Sequence, residues 1–330
     1  MRLTRTGINL VAIFSTVCIA GLMSGIAPGP AEVKRIFIDR PADVLGYDPD
    51  TDRIAEADGQ SPLGRTVVLC LHGFGDSKYS PNAFSPHAPS VKIVPENVRR
   101  LLVSFNFRDH REWWGLPLAR LRHTNLGGEP DARVVLFHII KCYCRGYENI
   151  VLFGHSRGCA AGIRALDMCV HPSAYRETWK ALGFATRGNG LDLEKIRAIQ
   201  SAIGRIYLAR PLLDIHHALL MAGQRAVGTL FAPVAAAVLR RAASSLADCS
   251  LQASEPIELL RGLLVEVPFD FYLFFAPNDA VVGNPHDDLV MGELAHNPKN
   301  VAQLHAQRTG ETHFEFRDAA VALGEYLMAL

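Results

Sequence analysis

Apolar residues fall in short, unbroken runs separated by glycine- and proline-rich breaks. Thr66–Leu71 (TVVLCL), Leu101–Phe107 (LLVSFNF), Ile150–Phe153 and Phe269–Phe275 (FDFYLFF) carry almost no charge and are rich in β-branched or aromatic side chains. That is the pattern of strands buried on both faces. Val33–Ile38, Ala181–Ala185 and Val301–Gln307 are further candidate strands. Between them, Asp131–Arg145, the small-residue stretch after Gly158 and the last residues up to Leu330 read as helices. Strands alternating with helices predict a mostly parallel sheet with crossover connections. Gly46–Gly64 and Ser80–Pro95 read as loops.

From Leu191 to about Leu260 the pattern changes. Leu193, Ile196, Ile199, Ile203 and Tyr207 recur at helical spacing, and LDIHHALLMAGQRAVGTL and VAAAVLRRAASSLA follow, punctuated by Pro211 and Pro233. No strand pattern is read in this region, which predicts an inserted helical cap over about 188–262. Ala226–Leu239 is apolar but contains Pro233 and is short for a membrane span, so packing within the cap is favoured.

Arg2 and Arg5 precede Ile8–Ala27, a run without a charged residue. Residues 1–31 read as a signal peptide or a retained membrane anchor, and 32–330 as one catalytic domain. An anchor with its arginines on the N-terminal side would leave that domain across the membrane, so export or anchoring is the expected localisation. The 330 residues are 49% hydrophobic and 20% charged with a net charge of +1, a globular balance that gives no reason to expect nucleic acid as a partner. Cys70, Cys142, Cys144, Cys159 and Cys169 lie in predicted core elements and read as buried thiols rather than a disulfide framework.

The run Ile150–Phe153 leads directly into Gly154-His155-Ser156-Arg157-Gly158. This is the G-x-S-x-G nucleophile elbow in its strand–turn–helix setting. A serine there needs a base and an orienting carboxylate. Asp279, in Pro-Asn-Asp after a strand, is the candidate acid, with Asp287 and Asp288 as rivals. His313, between the last strand and the final helix, is the candidate base, with His305 as its rival. The chain order Ser, Asp, His is the one expected after such an elbow. The backbone N–H of Arg157 is one candidate oxyanion donor. The loop His72-Gly73-Phe74-Gly75 supplies the other, most plausibly Phe74 N–H. His155, Gly73 and Trp113 are candidate substrate contacts, with local packing an equal alternative for His155 and Arg157. His216 and His217 have no Glu or Cys at ligand spacing, so no metal site is expected.

These motifs resemble the α/β-hydrolases. The resemblance rests on His72-Gly73-Phe74-Gly75-Asp76, Gly154–Gly158, Asp279 and His313, and covers roughly Val33 to Leu330. It implies an α/β-hydrolase fold: a mostly parallel sheet flanked by helices, with a helical cap insertion where the family carries its lid. One departure is Asn106-Phe107-Arg108-Asp109-His110, which replaces the Asp-x-x-Gly-x-Gly turn of the dehalogenase and epoxide-hydrolase branches. The expected function is a serine hydrolase of carboxylic esters or thioesters that needs no cofactor. The apolar cap points to a hydrophobic acyl chain or lipid, and residues 8–27 to membrane contact. An acyltransferase or perhydrolase on the same fold, or an inactive membrane-tethered binding protein, is the alternative.

Overall fold

A computed structural model describes residues 57, 61–73, 101–104, 107, 127–186, 188–237, 255–277, 279, 281–283, 285–310, 312–313 and 315–330. In chain order the elements are β1 (Thr66–Leu71), β2 (Leu102–Ser104), α1 (Glu129–Cys144), β3 (Asn149–His155), α2 (Arg157–Val170), α3 (Arg176–Ala181), α4 (Leu193–Ser201), β4 (Ile203–Ala209), α5 (Ile215–Val227), α6 (Pro256–Glu266), β5 (Asp270–Phe275), β6 (Gln303–Arg308) and α7 (Arg317–Met328).

The six strands form one sheet in the order β2-β1-β3-β4-β5-β6, with every pair parallel. Side chains alternate between two cores, as the pleat requires. Val67, Leu69, Leu71, Ile150, Leu152, Ile206, Leu208, Phe271 and Leu273 face one cluster, which α1, α2, α4 and α6 complete. Val68, Cys70, Val151, Phe153, Tyr207 and Phe274 face the other, closed by Phe316, Ala319, Leu323 and Leu327 of the C-terminal segment. Burial on both faces explains why these strands read as continuous apolar runs. Each fully buried Leu, Ile or Phe contributes about 1.5–3 kcal/mol relative to an exposed one.

The order reverses at β1, since β2 lies on one side of it and β3 on the other. The carboxyl ends of β1 and β3 therefore flank a switch point, where open α/β sheets place their sites.

The structure corrects three expectations. Ile203–Ala209 is a sheet strand, not part of a helical cap: it pairs with β3 and β5, and the helix over Leu193 ends at Ser201. Ile199, Ile203 and Tyr207 are four apart, which mimics a helix. A strand buried on both faces has no alternation to contradict that reading. Among the described residues of 188–262, β4 thus separates α4, which packs on the sheet's core, from α5 and a helical stretch at 232–237. Next, Ala181–Ala185 is not a strand. Ala181 ends α3, and Ala185 makes only an isolated antiparallel bridge with Leu191. Finally, Cys144 is exposed, whereas Cys70, Cys142, Cys159 and Cys169 are buried free thiols. Burial pushes the Cys142 and Cys169 thiols up to about 12.

Residues 1–31, the candidate strand Val33–Ile38, Phe74 and Trp113 lie outside the described residues. Among the described residues, no helix is long and apolar enough to cross a membrane.

Candidate active site

Ser156 lies between β3 and α2, as the N-cap of α2, with φ 51° and ψ −115°, in the left-handed region that side chains rarely occupy. Such a conformation costs about 1–3 kcal/mol and persists only where the surroundings dictate it. Here they do. Ser156 N–H donates to Ala209 O at 3.0 Å, and Ser156 O accepts from Cys159 N–H at 3.0 Å and Leu212 N–H at 3.3 Å.

The flanking glycines are steric necessities. A Cβ on Gly158 would lie 2.2 Å from Leu71 O, and one on Gly154 would lie 3.0 Å from the backbone of Cys159. The turn thus closes directly on the end of β1, just ahead of His72 and the buried Gly73. Arg157 is the first residue of α2. Its N–H is among the helix's first four, which lack intrahelical acceptors and favour developing negative charge.

The candidate acid and base, Asp279 and His313, are in contact. His313 Nδ1–H donates to Asp279 Oδ2 at 2.7 Å, with both residues almost wholly buried. Asp279 Oδ1 accepts from Val281 N–H at 2.7 Å and Val282 N–H at 3.0 Å. Burial pushes this carboxyl up. The bond to and charge of His313, with the two backbone donors, outweigh it and hold Asp279 below its ordinary value. With Nδ1 as donor, the His313 Nε2 is left as the acceptor that a general base needs.

The rivals are engaged elsewhere. Asp287 accepts from Arg308 Nε at 3.1 Å, and Asp288 pairs with the same guanidinium. His305 stacks on Tyr272 at 4.6 Å on the edge strand, 3.4 Å from Asp270.

The residues beside Ser156 are held in a buried network. Arg157 is fully buried, its Nε 3.3 Å from Asp131 Oδ2 and its guanidinium 4.5 Å over the Phe107 ring. Asp131 Oδ2 also accepts from Gly127 N–H at 3.0 Å. Phe107 N–H donates to His72 Nε2 at 3.2 Å, which leaves His72 Nδ1–H to donate to Gly73 O at 2.9 Å. The ends of β1, β2 and β3 and the start of α1 are tied together through these buried groups. His155, offered as a substrate contact, is 1% exposed and donates from Nε2 to His313 O at 2.8 Å. It sits against His313 and Phe316. Burial, with the His313 charge, lowers its pKa to about 4.

Sequence reasoning missed Asp131, Phe107 and Arg210 as site supports. Arg210 was detectable: Ile206–Ala209 is an apolar run with a β-branched and an aromatic residue that closes just before Pro211, and an arginine after it falls on the sheet's carboxyl edge.

The chain combines a parallel six-stranded sheet with flanking helices, a strained serine after β3, an aspartate after β5 and a histidine after β6. This is the α/β-hydrolase fold. No protein-family model matches the chain, and no curated protein matches it. Among solved structures, it is similar to 2-hydroxy-6-oxo-6-phenylhexa-2,4-dienoate hydrolase from Rhodococcus sp. strain RHA1, with 18% identity and a TM-score of 0.40 over 83% of this chain and 91% of that one. At that distance, function must be read from this chain's own residues. Among the described residues, no group of three or more His, Cys, Asp or Glu is disposed to hold a metal ion.

Proposed function

We propose that the chain is a serine hydrolase that cleaves carboxylic esters or thioesters by acyl transfer. Ser156 Oγ attacks the carbonyl carbon while His313 Nε2 takes its proton. The oxyanion forms against Arg157 N–H and a second donor from the loop after β1, for which Phe74 N–H is the candidate. His313 then protonates the departing alcohol or thiol, leaving an acyl ester on Ser156. Water, deprotonated by His313, attacks that ester and releases the acid. Asp279 holds the imidazole in the productive tautomer and stabilises its cation.

The observation that carries this reading is the buried 2.7 Å bond between His313 and Asp279 on the sheet edge where the strained Ser156 lies. Ala160, Leu212, Ile215 and Val282 pack as a small buried cluster that joins α2, the segment after β4 and the loop of Asp279, and the preference for an apolar acyl group rests on the apolar sequence after β4 alone. Export or membrane anchoring rests on residues 1–31 alone.

A p-nitrophenyl ester series of increasing acyl length tests the reading. The wild type turns over, with a preference for longer apolar chains, and Ser156→Ala does not. Equal hydrolysis by the two proteins contradicts it.

A further inference from the structure

Arg210 directly follows β4 and is fully buried, with φ 52°. Burying a guanidinium is costly, so what it holds matters. Its backbone N–H donates to Phe274 O at 2.8 Å and its Nη1 to the same oxygen at 3.1 Å. Its Nε donates to Thr312 O at 3.0 Å. Thr312 immediately precedes His313, and its own N–H donates to Glu315 Oε2 at 2.8 Å. From the neighbouring strand, His155 Nε2–H donates to His313 O at 2.8 Å.

The two carbonyls belong to the consecutive peptides on either side of the His313 Cα. Fixing both peptide planes fixes the His313 φ and ψ, since each peptide is rigid. Asp279 then holds the ring at Nδ1. We infer that Arg210 and His155 are positioning residues, a two-point clamp that sets the backbone of His313 and with it the direction of its imidazole. The inference rests on the hydrolase reading for its catalytic consequence, but not for its geometry. The clamp also couples elements. The nucleophile's N–H is held by Ala209 O, one residue before Arg210, and Phe274 O lies at the end of the acid's strand. One side chain at the end of β4 thus references the base to both partners.

The test uses Arg210→Met, Arg210→Lys and His155→Phe in the full chain. His155→Phe keeps an aromatic ring against Phe316 and removes the donor. The first readout needs no substrate: the far-downfield proton NMR resonance of His313 Nδ1–H, assigned by its loss in Asp279→Asn. The second is the split between kcat and KM on a p-nitrophenyl ester. In folded Arg210→Met and His155→Phe, the resonance broadens or disappears. Their kcat falls roughly 10²-fold with KM little changed, the scale expected for an angstrom of misplacement. Arg210→Lys, which keeps a donor on a shorter reach, recovers part of both.

An unchanged resonance with unchanged kcat in a folded variant overturns the clamp. So does a fall in kcat that leaves the resonance intact. If Arg210→Met does not fold, His155→Phe alone decides. A resonance lost in the variants of a chain that turns over no ester would uphold the clamp and refute the hydrolase reading.

Discussion

Gly158 packs so closely on Leu71 that a methyl group in place of its hydrogen would fall 2.2 Å from the Leu71 carbonyl oxygen. That contact seats the nucleophile turn on the end of β1. The carbonyl belongs to a central strand paired on both sides, so it has little freedom to move. Gly158→Ala is therefore expected to destabilise the fold by roughly 1–3 kcal/mol and to slow Ser156 acylation. Gly162, one turn further along α2, would meet only the flexible end of the Leu71 side chain, at 3.1 Å. Gly162→Ala should cost less. Urea unfolding of the two variants checks the difference, and equal losses would contradict it.

Asp279→Asn keeps the shape of the site but offers His313 an amide in place of a carboxylate. The tautomer with the proton on Nδ1 loses its charged acceptor. The expected loss in kcat is on the order of 10⁴-fold, as for an acid that orients a catalytic histidine. Asp287→Asn and Asp288→Asn, which change residues paired with Arg308 instead, should leave kcat within about twofold. Ester turnover in the three variants measures the contrast.

Much of this site was legible in the sequence because its chemistry falls at strand ends. TVVLCL occupies Thr66–Leu71 as β1, and Asp279 and His313 meet although 34 residues separate them. The order of motifs carried that information. Two kinds of feature stayed hidden. Ile203–Ala209 is buried on both faces, so its apolar spacing fits a helix as well as a strand. The clamp on His313 uses backbone carbonyls of Thr312 and His313, which any residue possesses and no pattern marks. His155 and Arg157 sit in the elbow motif, but their burial depends on Phe107, Asp131 and Phe316, which come from distant parts of the chain.

His155 makes the fold sensitive to acid. Its folded pKa is lowered to about 4, whereas an unfolded histidine titrates near 6.5. Above about pH 6.5 neither state is protonated there and no stability is lost. As pH falls from about 6.5 to 4, the unfolded chain binds a proton that the folded chain refuses. The contribution is lost over that window, on the order of 3 kcal/mol by the acid end. His155→Phe should flatten this part of the stability–pH curve even if it is less stable at pH 7. Denaturant titrations at pH 7, 5.5 and 4.5 test this, and an unchanged slope would count against it.

His171, at the far end of α2, behaves oppositely. Its Nδ1 lies 2.8 Å from Asp167 Oδ1 and its Nε2 2.7 Å from Glu266 Oε2. Partial burial lowers its pKa, but the two carboxylates outweigh burial and raise it above the ordinary value. A raised histidine pKa contributes stability that is complete below the unfolded value and is lost as pH rises through the folded one. His171→Ala should therefore destabilise the protein more at pH 5.5 than at pH 9. Thermal unfolding at the two pH values decides, and an equal or reversed effect would contradict the assignment.

In the proposed mechanism Ser156 is a nucleophile activated by His313 and Asp279. Reaction with a fluorophosphonate, followed by mass spectrometry of the intact protein and its peptides, tests this at the serine itself. The wild type should gain one phosphonyl group, on Ser156 in the peptide containing Gly154–Gly158. The group should be absent from Ser156→Ala and should form far more slowly in His313→Ala. A modification that persists in Ser156→Ala, or that sits on another residue in the wild type, would contradict the account.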